Sequence, residues 1–406
     1  MSMRRSRTIA ILISLHCIFA WVSAAVSENP RARDLGIPFD GQPGPMNAIT
    51  DIAGIEVGQV TLIEGEGLLV VGSGPIRTGV TAIHPRGKSS TDPVFAGWFT
   101  LNGSGEMTGT TWIEERGLLD GPIAITNTHS VGVLRDASVA WMVEHNWPAI
   151  WHAPVAAETY DGGLNDINGF HVTRSHALEA MKKAKGGPVQ EGVVGGGTGM
   201  VCNGFKGGIG TSSRVFEVMG SQFTVGVLVQ CNYNWDGEEL RLGGKLVSNL
   251  LPVGEHCFTD RNIERHVEWY PYCDKLQNDK VTMATRDGSI IVVVATDAPL
   301  LPHQLRRLAK RPSLGLGRLG AISGDGSGDI FIAFSTANAG HLSENQQSEV
   351  LMYPNNELSN VFKATVQATE EAVVNAMVAA ETVIGASGFQ VKGIPREQLR
   401  EIFSGE

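Results

Sequence analysis

Positive charge is scarce in this 406-residue chain: 32 Lys and Arg stand against 42 Asp and Glu, a formal net charge of −10. That deficit argues against a nucleic acid or an anionic membrane surface as partner. Charged residues make up only 18% of the chain and hydrophobic ones 42%, a balance too apolar for disorder and ample for a large core. HExxH, paired CxxC, GxSxG and GxxxxGK(S/T) are all missing, so zinc-protease, zinc-ribbon, α/β-hydrolase and P-loop chemistries lack their usual marks. GLGRLG from Gly315 has dinucleotide spacing, but it follows a basic helix and precedes a strand, the reverse of what pyrophosphate binding requires, and reads as a connector. His171 and His176 lie five apart without further ligands in sequence and read as surface or packing histidines. No metal and no cofactor is implied.

Long apolar runs are equally rare. The main one, from Ile9 to Val22, follows Arg4, Arg5 and Arg7 and precedes the small residues Ala24 and Ala25. It falls short of the roughly 20 residues that span a bilayer and has the layout of a secretory signal peptide, residues 1–24. Its removal takes three arginines and no acids, which makes the exported chain, periplasmic or secreted, more acidic still. After removal there is no membrane segment. Of five cysteines, Cys17 leaves with the signal; Cys202, Cys231, Cys257 and Cys273 remain, an even count in an oxidising compartment where disulfides form. Connectivity is open, although Cys257 and Cys273 flank a polar, aromatic loop that a bridge would staple.

Apolar runs bounded by Gly, Asn or Asp predict strands at Gly79, Gly121, Phe223, Ser289 and Gly328, several of them apolar on both faces. Helical spacing appears from Val131, from Ser175, from Leu300, and along an alanine-rich stretch from Glu357 to Ile384 that stops at Gly385. Strands buried on both faces need helices on both sides, so a layered α/β domain over residues 25–406 is expected, without repeat or interdomain linker.

Four polar clusters interrupt this pattern. In RDGSIIVVVATDAPLLP, Asp287-Gly288 is a turn signal directly before Ser289, which opens a strongly apolar strand. Either this is a plain hairpin, or Ser289 becomes a nucleophile once the Gly288–Ser289 bond is cut, its freed α-amine lying beside its own hydroxyl as base. In SGDGSGDIFIAF, Ser327 and Asp329 share a face if the chain is already extended there; a glycine-rich turn with a capping Asp is the plainer reading. In APVAAETYDGGLNDINGFHV, Glu158 and Tyr160 share a strand face if it is extended, beside the acids Asp161 and Asp166. That suits a cation, or else a solvated loop edge. Asn232 ends the apolar strand VQCN, where its amide caps the strand or donates to an oxyanion.

These clusters, with GVVGGGTGMVCNGFKGGIGTSSR from Gly192, carry a resemblance. From RARDLGIPFDGQPGPMNAITDIAGIEVG at Arg31 to the final helices, the chain resembles the L-aminopeptidase/D-Ala-esterase/amidase family, which includes the β-peptidyl aminopeptidases. The resemblance implies a four-layer αββα sandwich like that of N-terminal nucleophile hydrolases, with different strand connectivity. It also implies a precursor that cuts itself at Gly288–Ser289 into an α chain, 25–288, and a β chain, 289–406. By the same resemblance Ser289 is the nucleophile, Ser327 and Asp329 support it, Asn232 serves the oxyanion with Tyr160 lining that site, and Glu158 binds the substrate's free amino group. Trp151, Trp235 and Trp269 are candidates to shape the side-chain pocket or simply to pack.

The expected activity is that of a serine aminopeptidase acting on short peptides, amides or esters with a free amino end, through an acyl-enzyme on Ser289 and without a cofactor. A homo-oligomer of processed heterodimers is implied. An acyltransferase of the self-cleaving ornithine acetyltransferase type, or a non-catalytic exported binding protein on the same fold, are the competing readings; the former use threonine at the cut.

Overall fold

The computed structural model of the chain describes residues 30–268, 270–276, 288–342 and 347–405. The signal-peptide segment, Trp269 and Asp287 lie outside the described residues. Two sheets dominate. One has four strands in the order β1 (Glu56–Glu64), β2 (Ile76–His84), β5 (Ile123–Asn127) and β6 (Val155–Thr159), with β5 and β6 parallel. The other has six, in the order β4 (Leu118–Leu119), β3 (Val94–Gly103), β10 (Gly328–Ser335), β9 (Ser289–Thr296), β8 (Ser221–Asn232) and β7 (Gly208–Val218). In it β9 and β10 are parallel, and every other neighbouring pair is antiparallel.

The period of two decides where each strand residue goes. Along β9, Ile291, Val293 and Ala295 share an apolar cluster with Ile83, Ile125 and Ala157 of the four-stranded sheet. The alternate residues Ile290, Val292 and Val294 pack with Leu305, Leu308, Ala368 and Val373, which belong to helices α4 (Pro302–Ala309) and α6 (Leu358–Ala379). The four-stranded sheet buries Val80, Ala82 and Ala124 against Leu134, Trp141 and Ala180 of α2 (Val131–Glu144) and α3 (Arg174–Lys183). All eight residues of β9 are buried, as a strand apolar on both faces requires. The short helices are α1 (Thr110–Arg116), α5 (Pro312–Arg318) and α7 (Arg396–Phe403).

Two expected elements differ. GLGRLG forms most of α5 rather than a connector: Pro312 starts the helix, and a Cβ on Gly315 would stand 2.8 Å from Thr369 Cβ, so the missing side chain is what lets α5 approach α6. The alanine-rich helix stops at Ala379, short of Ile384. Arg396 donates to the carbonyls of Val378 and Ala379, satisfying the helix end from outside, and the β-branched Val383–Ile384 pairs instead with the Phe389–Val391 strand. Two disulfides are present, Cys257–Cys273 as favoured and Cys202–Cys231. Among the described residues no helix is long and apolar enough to cross a membrane.

Candidate active site

The clusters meet at one end of the two sheets, where β9 and β10 begin and β6 and β8 finish. Ser289, the first residue of β9, stands in register with Asn232, the last of β8, on one side and with Gly328, the first of β10, on the other. By alternation its side chain shares the face of Ile291 and Val293, between the sheets, and it is only 5% exposed. A register partner in an antiparallel pair projects to the same face, so Asn232 lies beside the Ser289 hydroxyl. The Asn232 amide is anchored at one end only. Its Oδ1 accepts from the Val201 N–H at 2.8 Å, whereas Nδ2 is buried and has no partner among the described residues. Cys202–Cys231 ties the chain one residue beyond Val201 to the residue before Asn232.

On the other side, Ser327 donates to Asp329 Oδ1 at 2.6 Å, so the two side chains meet although only Asp329 lies on the strand. Ser327 precedes β10, and its carbonyl is held by Ser104 N–H at 3.1 Å. Burial pushes the Asp329 carboxyl up, against hydrogen bonds from Ser327, Ser323 and the Ile290 backbone that favour the anion. The residue between the two, Gly328, donates its N–H to Ser289 Oγ and to the carbonyl of Gly288, each at 3.2 Å.

Glu158 comes from the other sheet, near the end of β6, and is 3% exposed. Its Oε1 accepts from the Glu106 N–H at 2.8 Å and its Oε2 from the Thr128 hydroxyl at 2.5 Å. Desolvation raises its pKa above the ordinary carboxylate range, with those two donors opposing. Across a narrow gap it approaches Gly328, the first residue of β10: a Cβ on Gly105 would lie 3.1 Å from Glu158 Oε1 and 3.2 Å from Gly328 Cα. Gln230, two residues before Asn232, crosses between the sheets below this gap, donating to the Thr126 carbonyl and to Thr159 Oγ1, both at 2.8 Å.

Tyr160 shares the face of Glu158 only if the chain is extended there. The strand ends at Thr159, so Tyr160 lies beyond it, 46% exposed, with its hydroxyl over Gly162, where an added Cβ would come within 2.3 Å. The neighbouring acids are not a solvated edge: Asp161 is buried with Asn165 donating to it, and Asp166 accepts from Gly72 N–H and from His171. His176 accepts from the Thr173 N–H at the start of α3, a helix-cap role. Trp235 packs over Gly163 in a small aromatic cluster, and Trp151 lies tilted against Trp112, ring centroids 4.8 Å apart. Thr128, Val201 and Gly328 were not singled out beforehand. The first was signalled only by a hydroxyl just after the apolar strand that ends at Asn127, and the other two act through backbone, which side-chain reading does not see.

The assembly combines a hydroxyl at a strand start, an unpaired buried amide donor beside it, a serine–carboxylate pair behind the next strand, and a second carboxylate across the gap. It suits attack on a carbonyl whose developing oxyanion is met by the amide, in a substrate positioned by its cationic end. Among the described residues there is no cluster of His, Cys, Asp and Glu able to hold a metal ion.

The sequence profile of peptidase family S58 matches residues 47–391. β-Peptidyl aminopeptidase BapA of Sphingosinicella microcystinivorans is 56% identical over 391 residues, 93% of either chain, and its namesake from Sphingosinicella xenopeptidilytica is 45% identical over 390 residues, 95% of this chain and 94% of that one. Among solved structures, the L-aminopeptidase D-Ala-esterase/amidase of Ochrobactrum anthropi, described as a variant of the Ntn hydrolase fold, superposes with a TM-score of 0.79 at 46% identity, covering 92% of this chain and 98% of its own.

Proposed function

The chain belongs to peptidase family S58, and from that premise we propose that it is an exported, self-processing serine aminopeptidase. It releases the N-terminal residue from short peptides, amino-acid amides or esters through an acyl-enzyme on Ser289. Relatives named β-peptidyl aminopeptidases bring N-terminal β-residues into the substrate class. The observation that carries the reading is the Nδ2 of Asn232, without a partner among the described residues, beside the Ser289 hydroxyl. A buried donor without an acceptor costs about 1–3 kcal/mol, a cost removed when an oxyanion arrives.

In this reading the α-ammonium of the substrate docks on ionised Glu158 through a charge-assisted hydrogen bond, which sets the first acyl carbonyl against Ser289. Oγ attacks, Asn232 Nδ2 holds the oxyanion, and the proton passes to the Ser289 α-amine or through Ser327, oriented by Asp329. The amine or alcohol departs, and water then releases the acyl group. Export is supported by the arginine-led apolar start and by two disulfides. The four-layer αββα order is supported by three separate apolar clusters, one between the sheets and one under each set of helices. Assembly as an oligomer of processed heterodimers belongs to the same proposal. Denaturing electrophoresis with an amino-acid amide assay tests it: wild type runs as two unequal chains, whereas Ser289→Ala runs as one and turns nothing over. An active Ser289→Ala protein overturns the nucleophile.

A further inference from the structure

Resting on that reading, we infer that self-cleavage and substrate turnover use different oxyanion donors: the backbone N–H of Gly328 serves the scissile Gly288 carbonyl, and Asn232 Nδ2 serves the substrate's. In the uncut chain the Gly288 oxygen and Ser289 Oγ share this one N–H, each at 3.2 Å. Asn232 Nδ2, although buried beside them, has no acceptor among the described residues, Gly288 included, so it is not engaged with the carbonyl of the bond to be cut.

The local backbone holds this arrangement in place. Gly288 has φ +149°, a conformation L side chains rarely adopt, and a Cβ there would stand 2.4 Å from the Asn232 carbonyl oxygen. Gly328 is similarly confined, since a Cβ on it would stand 2.3 Å from the Ser104 carbonyl oxygen. Glycine at both positions lets the scissile carbonyl and its donor approach, while the parallel β9–β10 register, Ser289 opposite Gly328, supplies the alignment.

The step balances as an N-to-O acyl shift. Ser289 Oγ bonds to the Gly288 carbonyl carbon, and charge moves from Oγ to the carbonyl oxygen. The Gly328 N–H, shared at first, then passes wholly to that oxygen. The carbon–nitrogen bond breaks, the Ser289 nitrogen takes the proton that Oγ gave up, and an ester links Gly288 to Ser289 Oγ. Water hydrolyses the ester, leaving the Gly288 carboxylate and returning the hydroxyl beside a free α-amine. Only then does a substrate carbonyl enter the space that Asn232 addresses.

The test replaces residue 328 by glycolic acid through nonsense suppression, which turns its N–H into an ester oxygen and adds no side chain, in parallel with Asn232→Ala and Ser289→Ala. The 328 ester chain, with native circular dichroism, is expected to self-cleave at least about 10²-fold more slowly than wild type. Asn232→Ala is expected to be recovered as two chains with turnover reduced about 10²–10³-fold. Cleavage of the ester chain at the wild-type rate, or an Asn232→Ala protein that stays whole, overturns the inference. If the ester chain does not fold, Asn232→Ala decides alone. Cleavage of Ser289→Ala would instead defeat the reading of Ser289 on which this rests.

Discussion

In the proposed mechanism Glu158 is the residue whose protonation governs docking of the substrate's ammonium. Burial raises its pKa, while Thr128 and the Glu106 N–H stabilise the anion and limit the rise. The ammonium of a substrate needs the anion, so kcat/KM for free-amine substrates falls as pH drops through a limb lying above the ordinary glutamate range near 4.3. Removing one donor to the anion raises the limb further: a pH–rate profile of Thr128→Val should show it displaced to higher pH, and a limb that does not move contradicts the role given to Glu158. At this scale the sequence was informative where side chains do the work. Ser289, Asn232, Ser327, Asp329 and Glu158 stood out as polar residues at the ends of apolar strands, but only the family resemblance turned them from caps and turns into site candidates; they lie at one end of the two sheets. The shared face of Tyr160 and Glu158 was conditional on an extended chain, and the strand ends one residue short of Tyr160, at Thr159. The Val201 and Gly328 donors stayed hidden, since a backbone N–H has the same letter code whatever it binds.

The central strands β9 and β10 and the helix α6 come from the C-terminal side of the Gly288–Ser289 bond, whereas β7, β8 and the N-terminal segment come from the other side. Glu371 on α6 joins them. Its carboxylate, with no side-chain exposure, meets Arg33 at 2.8 Å, Arg214 at 2.6 Å and the Asn47 amide at 2.6 Å. Burial alone would raise its pKa, but the two arginines and the amide outweigh it and hold it below the usual value. A depressed carboxylate stabilises above its unfolded pKa, and that stability is lost as pH falls through the folded value. Glu371→Gln leaves Arg214 buried without its counter-charge and should cost about 3–5 kcal/mol in denaturant unfolding, with the deficit relative to wild type shrinking under acid. An unchanged midpoint contradicts this. The strands β2, β5, β8, β9 and β10 and the helices α2, α3, α4 and α6 were legible from apolar periodicity, whereas β1, β3 and β7, more polar or glycine-rich, were not. The end of α6 was not, because it depends on Arg396, 17 residues beyond Ala379, which no local pattern announces.

Across the whole molecule, the proposed cut divides the chain without dividing its cores. Both large clusters mix residues from the two sides of Ser289, whereas Cys202–Cys231 and Cys257–Cys273 lie wholly on the N-terminal side, and no cysteine follows Ser289. The two chains should therefore co-elute in native gel filtration and yet separate in denaturing electrophoresis without reductant; dissociation under native conditions contradicts a shared core. The layered α/β class followed from strands apolar on both faces, while the sharing of each core between distant segments emerged only in three dimensions. All of this converges on one covalent event. Intact-mass spectrometry of active, purified protein measures it directly: the account predicts a fragment spanning residues 289–406 that begins with an unmodified serine amine, and full activity from material in which Gly288 and Ser289 remain joined would contradict it.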